Sequence, residues 1–118
     1  MATVYRTAIK TAPVRLMSAV SPLETRIVLF SRLGSNAITT FDELIARAGI
    51  VVEPFDESLA AGAFDAFRRY GKGESNPAQL YIVDCVVYAL ARSRNLPLLF
   101  KGRDFSHTDI QSAVPLAV

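Results

Sequence analysis

Three carboxylates in this chain stand where a site could form: Glu24, Asp84 and Asp104. Asp84 is the most unusual. It falls within Leu80–Arg94, LYIVDCVVYALARSR, which reads as a helix that is apolar on nearly every side. At helical spacing it shares a stripe with Leu80, Tyr81, Tyr88 and Ala91, and no i±3 or i±4 neighbour is basic. Burying an unpartnered carboxylate is costly. Asp84 therefore faces a wet cleft, accepts hydrogen bonds from elsewhere, is held protonated, or helps bind a cation. Three carboxylates converging on one edge would suit a hard divalent cation, Mg²⁺ or Mn²⁺, held by oxygen ligands and water. Such an ion can activate water for attack on a phosphodiester.

Each acid also has a plain explanation. Glu24 is placed to be the N3 member of a capping box with Ser21. Asp84 could be a satisfied core carboxylate or lie on a dimer surface. Asp104 could be a turn aspartate beside Lys101 and Arg103. Asp109 and His107 share the same polar region, where a solvated role is the simpler reading. The single Cys85 has no neighbouring base and reads as inert core. The cations form two sets. Arg68, Arg69 and Lys72 read as a solvated helix end that complements the dipole. Lys101 and Arg103 flank Asp104, where they could accept a phosphate backbone. Neither set shows interleaved exposed aromatics, so any nucleic-acid recognition would rest on shape and phosphate contacts.

The elements that must position these side chains alternate. Ala2–Thr11 suggests the last turns of a helix, and Val14–Val20 a strand. Ser21-Pro22-Leu23-Glu24 starts a helix that stops at Gly34. A helix over Ala37–Ala48 precedes a β-branched strand at Ile50–Glu53. Asp56 caps a helix over Glu57–Tyr70, closed by Gly71. The Leu80–Arg94 helix, a short buried strand at Pro97–Phe100 and an Asp109-Ile110 strand complete the chain. This order implies a small parallel sheet flanked by helices, an α/β fold in which ligands gather beyond the carboxyl ends of the strands.

The chain has 118 residues, 51% hydrophobic and 20% charged, which suits one folded domain, residues 1–118. A net charge of +2 gives no whole-protein attraction to nucleic acid. One cysteine allows no internal disulfide and fits a reducing, cytoplasmic setting. No apolar run reaches the length of a membrane span, and no signal peptide is expected.

The blocks of the second half carry a family resemblance. Tyr70-Gly71-Lys72-Gly73, Pro77-Ala78-Gln79-Leu80, Asp84-Cys85-Val86-Val87-Tyr88-Ala89-Leu90-Ala91 and Pro97 to Ile110 (PLLFKGRDFSHTDI) closely resemble the VapC-type PIN-domain toxins. Val14–Leu33 is similar to the family's second strand and following helix, so the resemblance spans Ala12 to Ile110. It implies a three-layer PIN-like fold and a metal-dependent endoribonuclease toxin of a type II toxin–antitoxin pair. It further implies Mg²⁺ or Mn²⁺ as cofactor, RNA as substrate, a cognate antitoxin as partner, and a homodimer or higher oligomer. Glu24, Asp84 and Asp104 match the family's acidic positions, and Asp109 matches a frequent further one. All four are expected as metal ligands. The family's first strand, with its first catalytic aspartate, has no match here. The sheet is therefore expected to be incomplete at the N-terminus, with an open slot. Exposed strand edges and apolar surface favour association. The alternative is a catalytically impaired or inactive PIN-fold module that binds an antitoxin or itself.

Overall fold

Among the described residues the sheet has two strands. In the computed structural model, which describes residues 2–73, 75–100 and 105–113, β1 (Leu16–Ser18) pairs in parallel with β2 (Val51–Glu53). Leu16 lies opposite Val51, Met17 opposite Val52 and Ser18 opposite Glu53. Parallel pairing needs a crossover, and two helices supply it: α2 (Val20–Leu33) and α3 (Ser35–Arg47). Ahead of β1 stands α1 (Ala2–Thr11). The guanidinium of Arg15 ties the end of α1 to the α3–β2 turn by donating to the carbonyls of Ile9, Lys10 and Ala48. After β2 come α4 (Glu57–Tyr70), α5 (Ile82–Arg94) and a single 3₁₀ turn, Phe105–His107.

The core lies where α4 packs along α5. Small residues make that approach close. Ala63 and Ala66 are buried on α4, and a Cβ on Gly62 would sit 3.4 Å from the Ala89 Cβ. Between the helices, the chain turns inward to bury Ala78 and Leu80 completely. Sequestering a leucine of this kind contributes about 1.5–3 kcal/mol. Cys85, Val86, Tyr88 and Ala89 of α5 complete the cluster, and Phe105 and Ile110 pack against it from the C-terminal segment.

The parallel α/β architecture expected from sequence is present, with different details. The helix expected to start at Ser21 starts at Val20. Its first amide is accepted by the Oγ of Ser18, a buried serine at the end of β1, at 3.3 Å. Ser21 thus lies inside the helix, and the Ser21–Glu24 capping box is not made. The helix expected from Leu80 starts at Ile82, because Leu80 is instead bridged to Gly71. Pro97–Phe100 contributes one parallel bridge, Leu98 to Ser112, and no strand forms at Asp109-Ile110. Among the described residues β1 carries a strand on one edge only. No helix is long and apolar enough to cross a membrane among those residues.

Candidate functional site

Asp84 lies in the first turn of α5, not in its middle. Tyr81, the residue before the helix, is extended (φ −86°, ψ 176°), which turns its amide back toward that first turn. The Asp84 Oδ2 accepts this N–H at 3.1 Å. A carboxylate there satisfies an orphan amide and meets the positive end of the helix dipole. The side chain is half-buried, and its Oδ1 makes no hydrogen bond with any described residue. Of the environments open to Asp84 from sequence, the structure shows backbone hydrogen bonding with partial solvent access.

Glu24 lies early in α2, just beyond the carboxyl end of β1. It is exposed and makes no hydrogen bond or ion pair with any described residue. The capping role that would have explained it is vacant, since the helix starts earlier. α2 packs on β1 and on α5, and α5 also packs on β1, so the helices carrying Glu24 and Asp84 meet around one strand. Both acids offer free carboxylate oxygen, the donor type a hard divalent cation takes. Asp104, Lys101 and Arg103 lie outside the described residues. Among the described residues no group of three or more His, Cys, Asp and Glu side chains is close enough to hold a metal ion.

Asp109, expected as a further ligand, is otherwise engaged. Its Oδ1 accepts the hydroxyl of Tyr88, and its Oδ2 lies 3.5 Å from Arg69 and 3.9 Å from Arg92. The Tyr88 hydrogen bond, helped by Arg92 and Arg69, holds this carboxyl below its ordinary range against a smaller opposing effect of burial. Burial, and then the same carboxylate, push the Tyr88 phenol upward. The Tyr70 ring meets Tyr88 edge-on with centroids 5.6 Å apart, and Arg69 lies 5.0 Å over the Tyr70 ring. The arrangement clasps the C-terminal segment to α4 and α5. Sequence reading missed it, although a signal existed: a tyrosine on an apolar helix needs a hydroxyl partner once buried.

The remaining nucleophiles are quiet. Cys85 is 2% exposed, and burial, followed by the nearby Asp84 charge, pushes its thiol up. His107 is exposed on the 3₁₀ turn. The cations read as a solvated helix end are individually committed. Arg68 pairs with Asp65 at 2.7 Å, Arg69 joins the clasp, and Lys72 donates to the Tyr81 hydroxyl. Away from Asp84, α2 and α3 frame an open apolar groove of about 320 Å³ lined by Arg26, Ile27, Phe30, Ser31 and Ile38.

Comparison with known proteins identifies the family. The PIN domain family model matches residues 2–111. The chain is 45% identical over 113 residues to VapC ribonuclease Mb0625 of Mycobacterium bovis, covering 96% of this chain and 85% of that one. Ribonuclease VapC28 of Mycobacterium tuberculosis matches with the same figures. Ribonuclease VapC of Mycolicibacterium smegmatis is 44% identical over 103 residues, covering 87% of this chain and 79% of that one.

Proposed function

The chain belongs to the PIN-domain family, among its VapC-type members, and from that premise we propose that it is a metal-dependent endoribonuclease, the toxin of a type II toxin–antitoxin pair. The observation that carries this reading is Asp84: a half-buried carboxylate oriented by the Tyr81 amide, with one oxygen free of any described partner. Glu24 supports it as an acid without another described role at the carboxyl end of β1.

In this reading Glu24, Asp84 and Asp104 hold Mg²⁺ or Mn²⁺. When bound, such an ion supplies a water of lowered pKa and neutralises charge developing on a phosphodiester. The chain's own residues set the stage. The Tyr81 amide fixes the Asp84 carboxylate, so the free oxygen needs little reorganisation to meet a cation. Lys101 and Arg103 hold substrate phosphate. Asp109, expected as a further ligand, also anchors the clasp through Tyr88 and Arg69. RNA is the substrate, the cytoplasm the setting, and a cognate antitoxin and a second copy of the chain the protein partners. The exposed apolar face of α2 supports a protein interface.

The test is cleavage of single-stranded RNA by the purified chain with Mg²⁺ or Mn²⁺. Cleavage should stop with EDTA and in Asp84→Asn. Absence of cleavage with both metals would sink the catalytic reading. The second reading is a non-catalytic PIN module that binds an antitoxin or itself. That reading expects antitoxin binding without calorimetric metal binding, and tight metal uptake would count against it.

A further inference from the structure

Beside Asp84 stands an aromatic that catalysis does not require. Tyr81 is 56% exposed although it directly precedes a helix of the core. Lys72 lies over its ring at 4.5 Å from the centroid and donates to its hydroxyl. The two residues are nine positions apart, but a rigid stem holds them side by side. The Lys72 amide donates to the Leu80 carbonyl at 2.8 Å, and the Leu80 amide to the Tyr70 carbonyl at 2.7 Å. Leu80 itself is fully buried. Within the loop, the Asn76 Oδ1 accepts from the Ala78 and Gln79 amides, and the Gln79 side chain accepts from the Gly73 amide. A ring and a cation are thus presented on a preorganised base, next to the carboxylate proposed for catalysis.

We propose that Tyr81 and Lys72 form a nucleotide subsite for single-stranded RNA: the Tyr81 ring stacks on a base next to the scissile bond, and Lys72 takes the neighbouring phosphate. The assignment rests on the ribonuclease reading and specifies where its substrate lies. A flat π-face and one ammonium are the pair that unpaired RNA meets in sequence-tolerant binding. Among the described residues the ring and its hydroxyl meet Lys72. The link to Asp84 uses the Tyr81 backbone amide, which any residue supplies. Lys72 is an exposed cation whose contact with Tyr81 can be exchanged for a phosphate oxygen.

The experiment is fluorescence anisotropy of a labelled, mixed-sequence single-stranded RNA with the full chain in EDTA, which prevents cleavage. Tyr81→Ala should weaken Kd about ten-fold or more while leaving the far-UV circular dichroism unchanged. Tyr81→Phe keeps the ring and should stay within about two-fold of wild type. Lys72→Gln should weaken binding and flatten the salt dependence by about 0.7 in log–log slope. Tyr81→Ala binding like wild type would overturn the subsite, and so would Tyr81→Phe failing as badly as Tyr81→Ala, which marks a structural Lys72–Tyr81 clasp. Wild type that neither binds nor cleaves RNA would sink the ribonuclease reading with it. Wild type that binds while Tyr81→Ala is unaffected sinks the subsite alone.

Discussion

Asp84 divides its two oxygens between structure and chemistry, and an asparagine can keep the first role only. In Asp84→Asn the amide oxygen still accepts the Tyr81 N–H, so the fold should survive. Metal-dependent RNA cleavage should fall at least about 100-fold, read as initial rate beside an unchanged melting temperature. Asp109 allows a sharper test, because Tyr88, Arg69 and Arg92 partner it among the described residues. Its pKa is lowered in the folded chain by Tyr88, Arg92 and Arg69. The stabilisation it supplies is therefore complete above the ordinary carboxylate range and is lost as pH falls through the depressed folded value. Tyr88→Phe should cost about 1 kcal/mol near neutral pH, a low figure for a charged hydrogen bond because Asp109 is solvent-exposed. The difference between wild type and Tyr88→Phe in chemical denaturation should shrink below about pH 4. A difference independent of pH would show that the hydroxyl's value does not depend on the Asp109 charge. Residue type and place singled out Glu24 and Asp84 as candidates, and the family resemblance supplied their expected role as metal ligands. The clasp was not, since it joins Arg69, Tyr88 and Asp109 across three segments whose approach only packing defines.

At the scale of elements, local chemistry was readable where it was self-contained. The α4 helix runs from Glu57 to Tyr70 as its sequence implies, with the Asp56 Oδ1 accepting the Leu59 amide at 2.9 Å and Gly71 closing it. Asp56→Ala should cost about 1 kcal/mol in denaturant unfolding. Ser21→Ala should change stability by less than about 0.5 kcal/mol, since Ser18 serves the start of α2 in its place. Equal losses in the two variants would mean that Ser21 does cap the helix. Ser-Pro-x-Glu was a sound signal, but a buried serine three residues earlier competes for the same task. The end of the 71–80 loop was misplaced for a related reason. Leu80 fits an apolar helix stripe, yet its amide and carbonyl bond to Tyr70 and Lys72, a pairing set by chain return. Pro97–Phe100 looked like a strand because it is apolar. A strand also needs a partner along its length, and here one bridge to Ser112 is what it finds.

For the molecule as a whole, the α/β class and the family were legible from the order of blocks, because their sequence and spacing from Tyr70 to Ile110 are specific. The apolar outer face was less so. Leu23, Ile27 and Phe30 follow one another along α2 at 57%, 58% and 61% exposure. Their spacing resembles that of a core-facing stripe, and sequence does not say which apolar stripe the chain itself covers. If this face joins two copies, light scattering after size exclusion should give a dimer or larger species for the wild type, and Phe30→Glu should lower the mass toward that of the monomer. An unchanged oligomer would place the interface elsewhere. The central claim is that Glu24 and Asp84 serve one cation in an RNA-cleaving site. It is tested most directly by the initial rate of RNA cleavage as a function of Mn²⁺ concentration in wild type, Glu24→Gln and Asp84→Asn. Wild type should saturate, Glu24→Gln should need about ten-fold more Mn²⁺ or more, and Asp84→Asn should stay inactive throughout. Superimposable Mn²⁺ curves for the wild type and both variants would contradict the account.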